Sequence, residues 1–112
     1  MEVKIVGEIK FKTCTLPVYR DLDEPLFKAG DVAELMDYGP NNIWNLTNLC
    51  EEDERLVLSS EVAGQHRRVT FLTESGLYSV LAQSRKPVAR AWRRVIAEEL
   101  IALRRSLSLI HI

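Results

Sequence analysis

Cysteine, histidine and glycine are scarce in this sequence, and each scarcity removes a class of chemistry. Cys14 and Cys50 are the only cysteines in 112 residues. Neither has a second cysteine or a histidine at ligand spacing, so neither a disulfide framework nor a zinc site is expected. The expectation is two reduced, partly buried thiols in an intracellular protein. His66 and His111 stand far apart, and the five glycines nowhere gather into a phosphate-cradling loop. No serine or cysteine stands beside a recognisable base, so catalysis and cofactors are not expected. No apolar run approaches the ~20 residues that span a bilayer, and no signal peptide opens the chain.

What is present is charge, unevenly divided. The net charge is −1. From Met1 to Gly64 there are six Lys/Arg and thirteen Asp/Glu, or −7, and from Gln65 to Ile112 nine and three, or +6. Such asymmetry points to one surface that meets an anionic partner. At 46% hydrophobic residues the chain holds one small core.

The chain is organised around Thr73 to Arg105. Thr73 is placed to cap a helix whose Leu77, Val80 and Leu81 share a face. Ser84-Arg85-Lys86-Pro87 forms a corner, with Pro87 in the first turn of a second helix running to Arg105, about 28 Å at ~1.5 Å per residue. On a helical wheel Val88, Trp92, Val95, Ile96, Leu100 and Leu103 share the core arc, while Arg90, Arg93, Arg94, Arg104 and Arg105 share the opposite one. Glu99 falls inside the apolar arc and Ile101 on the basic side. Arg90 and Arg94 are an i,i+4 like-charge pair, which disfavours an isolated helix by ~0.2–0.5 kcal/mol.

Upstream, Met1 to Tyr19 alternates apolar and polar residues and reads as one or two strands. Arg20 to Pro25 is a polar turn, and Leu26 to Lys28 a returning strand. Val32, Leu35 and Met36 take helical spacing between Ala29 and Tyr38, closed by Gly39-Pro40. Asn41 or Asn42 caps a short helix carrying Ile43, Trp44, Leu46 and Leu49. Trp44 is read there as core more than as ligand stack, and its Asn and Thr neighbours as an ordinary polar face or base contacts. Glu51-Glu52-Asp53-Glu54 is an acidic, solvated loop that repels phosphate. Arg55 to Ser60 and Arg67 to Leu72 form a second hairpin, joined by Glu61 to His66, with Gly64 free for a turn conformation and His66 in solvent. The elements add up to small antiparallel hairpins packed with about four helices.

Phe71-Leu72-Thr73-Glu74-Ser75-Gly76-Leu77-Tyr78-Ser79, followed by Ser84-Arg85-Lys86-Pro87, resembles the signature of the Bro N-terminal domain of baculovirus repeated-ORF proteins and phage and prophage antirepressors. Phe27-Lys28-Ala29-Gly30-Asp31-Val32-Ala33-Glu34-Leu35 is similar to that family's strand-into-helix element. Glu51-Glu52-Asp53-Glu54-Arg55 is similar to its acidic turn, where lysine is usual in place of Arg55. The resemblance covers nearly all of Ile9 to Arg105. It departs at Ile101, where proline is usual, and at Glu99, where an apolar residue is usual. It implies an α+β DNA-binding domain of viral or prophage origin, often fused to a variable C-terminal domain, and a cytoplasmic setting in a bacterial host or phage-infected cell.

The expected partner is DNA, double-stranded, with Arg67, Arg68, Arg85, Lys86, Arg90, Arg93 and Arg94 on phosphates and one or two base edges. The alternative is an antirepressor module that grips a phage repressor or host regulator through a surface including the acidic half. Homo-oligomers are compatible with either, and a membrane with neither. Leu107-Ser108-Leu109-Ile110-His111-Ile112 is what CTG TCT CTT ATA CAC ATC encodes, a string resembling a transposon-end sequencing adapter; the competing reading is a short apolar strand or dimerisation tail. On the adapter reading, residues 1–106 are the domain, 107–112 are not native, and the natural protein continues past Ser106.

Overall fold

The computed structural model describes residues 4–11, 14–39, 42–62 and 64–110. Five strands form one antiparallel sheet in the order β1-β2-β3-β5-β4: β1 Ile5–Phe11, β2 Cys14–Tyr19, β3 Leu26–Lys28, β4 Arg55–Val62 and β5 Gln65–Thr73. Four helices accompany it, α1 Ala29–Leu35, α2 Ile43–Thr47, α3 Glu74–Gln83 and α4 Pro87–Ile110, with a 3₁₀ turn at Glu52–Glu54. The fold is α+β. Alternating residues explain the layering: Ile9, Leu16, Val18, Phe27 and Leu72 point to one face and are buried in the main core with Leu77, Leu81, Trp92, Ile96 and Leu100. Their neighbours Leu26 and Phe71 are buried outside that cluster, with the Tyr19 ring edge-on to Phe71 at 5.4 Å.

The alternating stretch before Tyr19 makes two strands, paired Ile9 to Leu16 and Phe11 to Cys14, with a bulge between Ile5 and Gly7; Met1 to Val3 lie outside the described residues. Gly7 lies beneath Leu103 of α4, which a β-carbon there would meet at 3.4 Å. Arg20 (φ 74°) opens the turn into β3, and the Glu24 N–H donates to Asp21 Oδ1 at 2.6 Å. Leu22, inside that polar turn, is buried.

Helix α1 stops four residues before Gly39. Asp37 adopts φ 62°, its N–H donates to the Glu34 carbonyl (3.2 Å), and the Tyr38 N–H donates to the Ala33 carbonyl (2.8 Å). This is a left-handed cap with aspartate in the place glycine usually takes, which Asp tolerates because its short polar side chain suits that conformation. Asn42 precedes α2 without capping it, since its Oδ1 accepts from Asn45 Nδ2 instead; Asn41 is outside the described residues. Leu49 lies past the end of α2, half-buried against the core.

Trp44 is not core: it is 71% exposed. A helix of five residues has one inward side, and Leu46 and Thr47 take it, with Ile43 half-buried beside them. The β4–β5 hairpin runs two residues further at each side of its turn than the residue types indicate, so His66 pairs in register with Glu61 as a strand residue and only positions 63 and 64 remain, with Gly64 at φ 78°. Cys14 is exposed rather than partly buried, while Cys50 is half-buried and donates its thiol to the Thr47 carbonyl at 3.2 Å. The backbone of α4 continues helically from Arg105 to Ile110.

Candidate nucleic-acid interface

Thr73 caps α3 as expected, its Oγ1 accepting from the Gly76 N–H at 3.0 Å. The Glu-Ser-Gly at the start of α3 has a structural task that its sequence does not announce. Gly76 lies against the backbone of the acidic turn, where a β-carbon would overlap the Glu54 carbonyl oxygen. The Glu54 carboxylate accepts from Ser75, from Ser79 at 2.9 Å and from the Glu51 N–H at 2.8 Å. These hydrogen bonds, the Ser75 one foremost, hold its carboxyl below the usual carboxylate range. The acidic run is therefore not simply a solvated loop. Glu54 is turned onto α3, while Glu51, Glu52 and Asp53 are exposed.

At the corner after α3, Ser84 ends the helix and its Oγ accepts from the Lys86 N–H at 3.2 Å. Ser84 Oγ and the Tyr38 hydroxyl stand 3.3 Å apart. Lys86 reaches back over α1: its Nζ is 3.2 Å from the Asp37 carbonyl and 5.2 Å from the Tyr38 ring centre. Arg85, Arg90, Arg93 and Arg94 are exposed, and among the described residues none of them forms an ion pair. At ~100° per residue the three α4 arginines fall within an arc of about 100° and ~6 Å of axis. Their arc is centred about 100° round the helix from the face that buries Ala89, Trp92, Ile96 and Leu100. Ala89 is fully buried there with the larger residues of the apolar arc.

The basic row is shorter than the wheel suggests. Glu98 and Glu99 are exposed after it, and Ile101 is 50% exposed. Arg104 leaves the row altogether. Its Nε donates to the Leu22 carbonyl at 2.8 Å and its Nη2 lies 2.5 Å from Glu74 Oε1. Arg104 thereby joins α4 to α3 and to the turn before β3.

Arg67 and Arg68 are exposed on β5, opposite Ser60 and Ser59 in register, and alternation turns them to opposite faces. Their hairpin lies at the end of the sheet away from β1, whereas α4 packs on β1 and α3. The seven basic residues thus fall into a corner-and-α4 group of five and a hairpin pair. Two features had no clear sequence signal: the exposure of Trp44, and Arg55, whose Nη1 donates to the Thr47 carbonyl at 2.5 Å and ties α2 to β4. Among the described residues, no group of acidic, histidine or cysteine side chains is arranged to hold a metal ion, and no helix is long and apolar enough to cross a membrane.

A five-stranded antiparallel sheet, four helices and a basic helix-corner-helix around one main core define a small α+β domain. The chain belongs to the BRO family, N-terminal domain, whose model matches residues 15–102, or 88 of the 112. No curated protein and no solved structure matches it.

Proposed function

We propose that this domain binds double-stranded DNA as part of a phage or prophage Bro-type antirepressor or transcription regulator. Arg85, Lys86, Arg90, Arg93 and Arg94 form the main phosphate-contacting group, and Arg67 or Arg68 a secondary contact. The observation that carries this reading is the row Arg90, Arg93 and Arg94. Three cations stand within one arc of a helix anchored by Trp92, exposed and without carboxylate partners among the described residues. Like charges at that spacing disfavour the helix slightly, and an anionic strand across them removes the cost. Membership of the BRO family supports a binding domain rather than a catalyst.

The test is duplex binding by the full chain at 50 and 200 mM salt, beside the triple variant Arg90→Ala/Arg93→Ala/Arg94→Ala. Each phosphate neutralised lowers affinity about 3.5-fold over that fourfold change in salt. The wild type is expected to show the steeper fall and the variant a slope shallower by up to ~3. Salt-independent binding, or none by the folded protein, rejects the reading in favour of a repressor-gripping module. The exposed Trp44, far from the basic row in kind and charge, is the observation on that second side.

A further inference from the structure

We propose that the free edge of β4, together with the groove between it and α2, takes an extended cationic segment of a partner protein as a sixth strand. In the sheet order β4 is terminal, so among the described residues the backbone groups on its outer side have no strand to pair with. It begins Arg55-Leu56-Val57-Leu58, an apolar run on an open edge, and Val57 is 48% exposed. On the face of the β4–β5 hairpin next to that edge lies a groove of about 340 Å³, lined by Trp44, Thr47 and Asn48 from α2 and its end and by Glu52, Arg55 and Thr70. The wall is held in place, because Arg55 donates to the Thr47 carbonyl across its floor. An indole that is 71% exposed above such a groove offers a large flat face at little entropic cost to a partner.

Charge selects the occupant. Glu52 lines the groove with Glu51 and Asp53 beside it in the chain, all three exposed and without an ion pair among the described residues. Against them stands the single guanidinium of Arg55 in the lining, while Arg68 stands further along the hairpin. A nucleic-acid backbone is repelled there. A lysine or arginine side chain fits: it stacks on Trp44 and meets the Glu52 carboxylate. Strand addition supplies main-chain hydrogen bonds to the β4 edge, and every second side chain of the segment points into the groove. This inference is independent of the α4 row in the DNA reading, since the groove lies with β4 and α4 packs at β1, and it shares the hairpin face only with the secondary contact Arg68.

The probe is a short synthetic peptide of alternating arginine and valine, with an alternating glutamate and valine peptide beside it. The full chain is expected to bind the arginine peptide saturably, with a blue shift of the Trp44 emission and slowed exchange of alternate β4 amides. Trp44→Ala is expected to weaken binding about tenfold and Glu52→Gln about threefold. Because Trp44 is outside the core, circular dichroism should show Trp44→Ala folded and its duplex DNA affinity should be unchanged. Absence of saturable binding, equal binding of the glutamate peptide, or full binding by Trp44→Ala overturns the proposal. Self-association abolished by Trp44→Ala would overturn it in favour of a second copy as occupant, and loss of DNA binding by that variant in favour of nucleic acid.

Discussion

At Glu54 one carboxylate gathers Ser75, Ser79 and the Glu51 N–H, and its carbonyl accepts from Thr73 Oγ1 at 3.2 Å. Gly76 is what lets the two segments approach. In a helix interior Gly→Ala ordinarily stabilises by ~0.8–1.0 kcal/mol. At Gly76 the sign reverses, because the new β-carbon meets a backbone carbonyl that cannot rotate away. Gly76→Ala is expected to cost about 1–3 kcal/mol, measured by urea unfolding; a stabilised variant would show that the acidic turn does not sit on α3. The lowered pKa of Glu54 has a pH consequence with a definite sign. Its contribution is fully present above the ordinary value of 4.5 and is lost as pH falls through the depressed native value. Glu54→Gln should therefore be less stable than wild type at neutral pH, and the gap should close in acid below that ordinary value. A gap constant with pH would assign the loss to packing rather than to the carboxylate.

Among the elements, periodicity reported what periodicity encodes. The strands before Tyr19, the two hairpins, the Thr73 cap and the buried face of α4 were all legible, because alternation and helical spacing each select one face. What escaped was set by tertiary neighbours. Asp37 ends α1 although Gly39 stood available, and the Tyr38 hydroxyl that follows it stands 3.3 Å from Ser84 Oγ, a contact between segments that no local pattern encodes. Trp44 was expected in the core because its type suits a core, yet α2 is too short to bury two sides. Arg104 looked like the fourth member of a basic face, and only the position of Glu74 at the start of α3 shows that it is a strut. The same geometry separates neighbouring arginines: Arg104→Ala removes a part-buried hydrogen bond to Leu22 and the pair with Glu74, whereas Arg105 is exposed. Arg104→Ala is expected to destabilise by about 1–2 kcal/mol, discounted from a fully buried pair because its side chain is 35% exposed. Arg105→Ala should lie within ~0.5 kcal/mol of wild type. Equal thermal shifts for the two would remove Arg104 from that role.

For the molecule as a whole, the −7 and +6 halves do not become two hemispheres. The acidic turn, Glu51 to Asp53, leads into the start of β4, and the arginine pair of β5 stands towards the turn of the same hairpin, so opposite charges sit at the two ends of one hairpin. The α4 row at the other end of the sheet forms no ion pair among the described residues, and the next charged residues along the helix are Glu98 and Glu99. Affinity for DNA should follow from this arrangement rather than from the net charge of −1. The two basic groups are then expected to behave differently on a duplex. Removing Arg90, Arg93 and Arg94 takes away cations that point to one side, and the salt slope should fall by up to ~3. Removing Arg67 and Arg68 takes away cations on opposite faces of a strand, of which a single duplex meets one, so that slope should fall by ~1 at most. Salt titrations of Arg67→Ala/Arg68→Ala beside the α4 triple variant decide it. A hairpin effect as large as the α4 effect would mean that the DNA lies across the turn end of the β4–β5 hairpin, away from the acidic turn. The α4 row would then be a solvated face, and the first contact to examine would be Arg68 beside Val57 and Thr70.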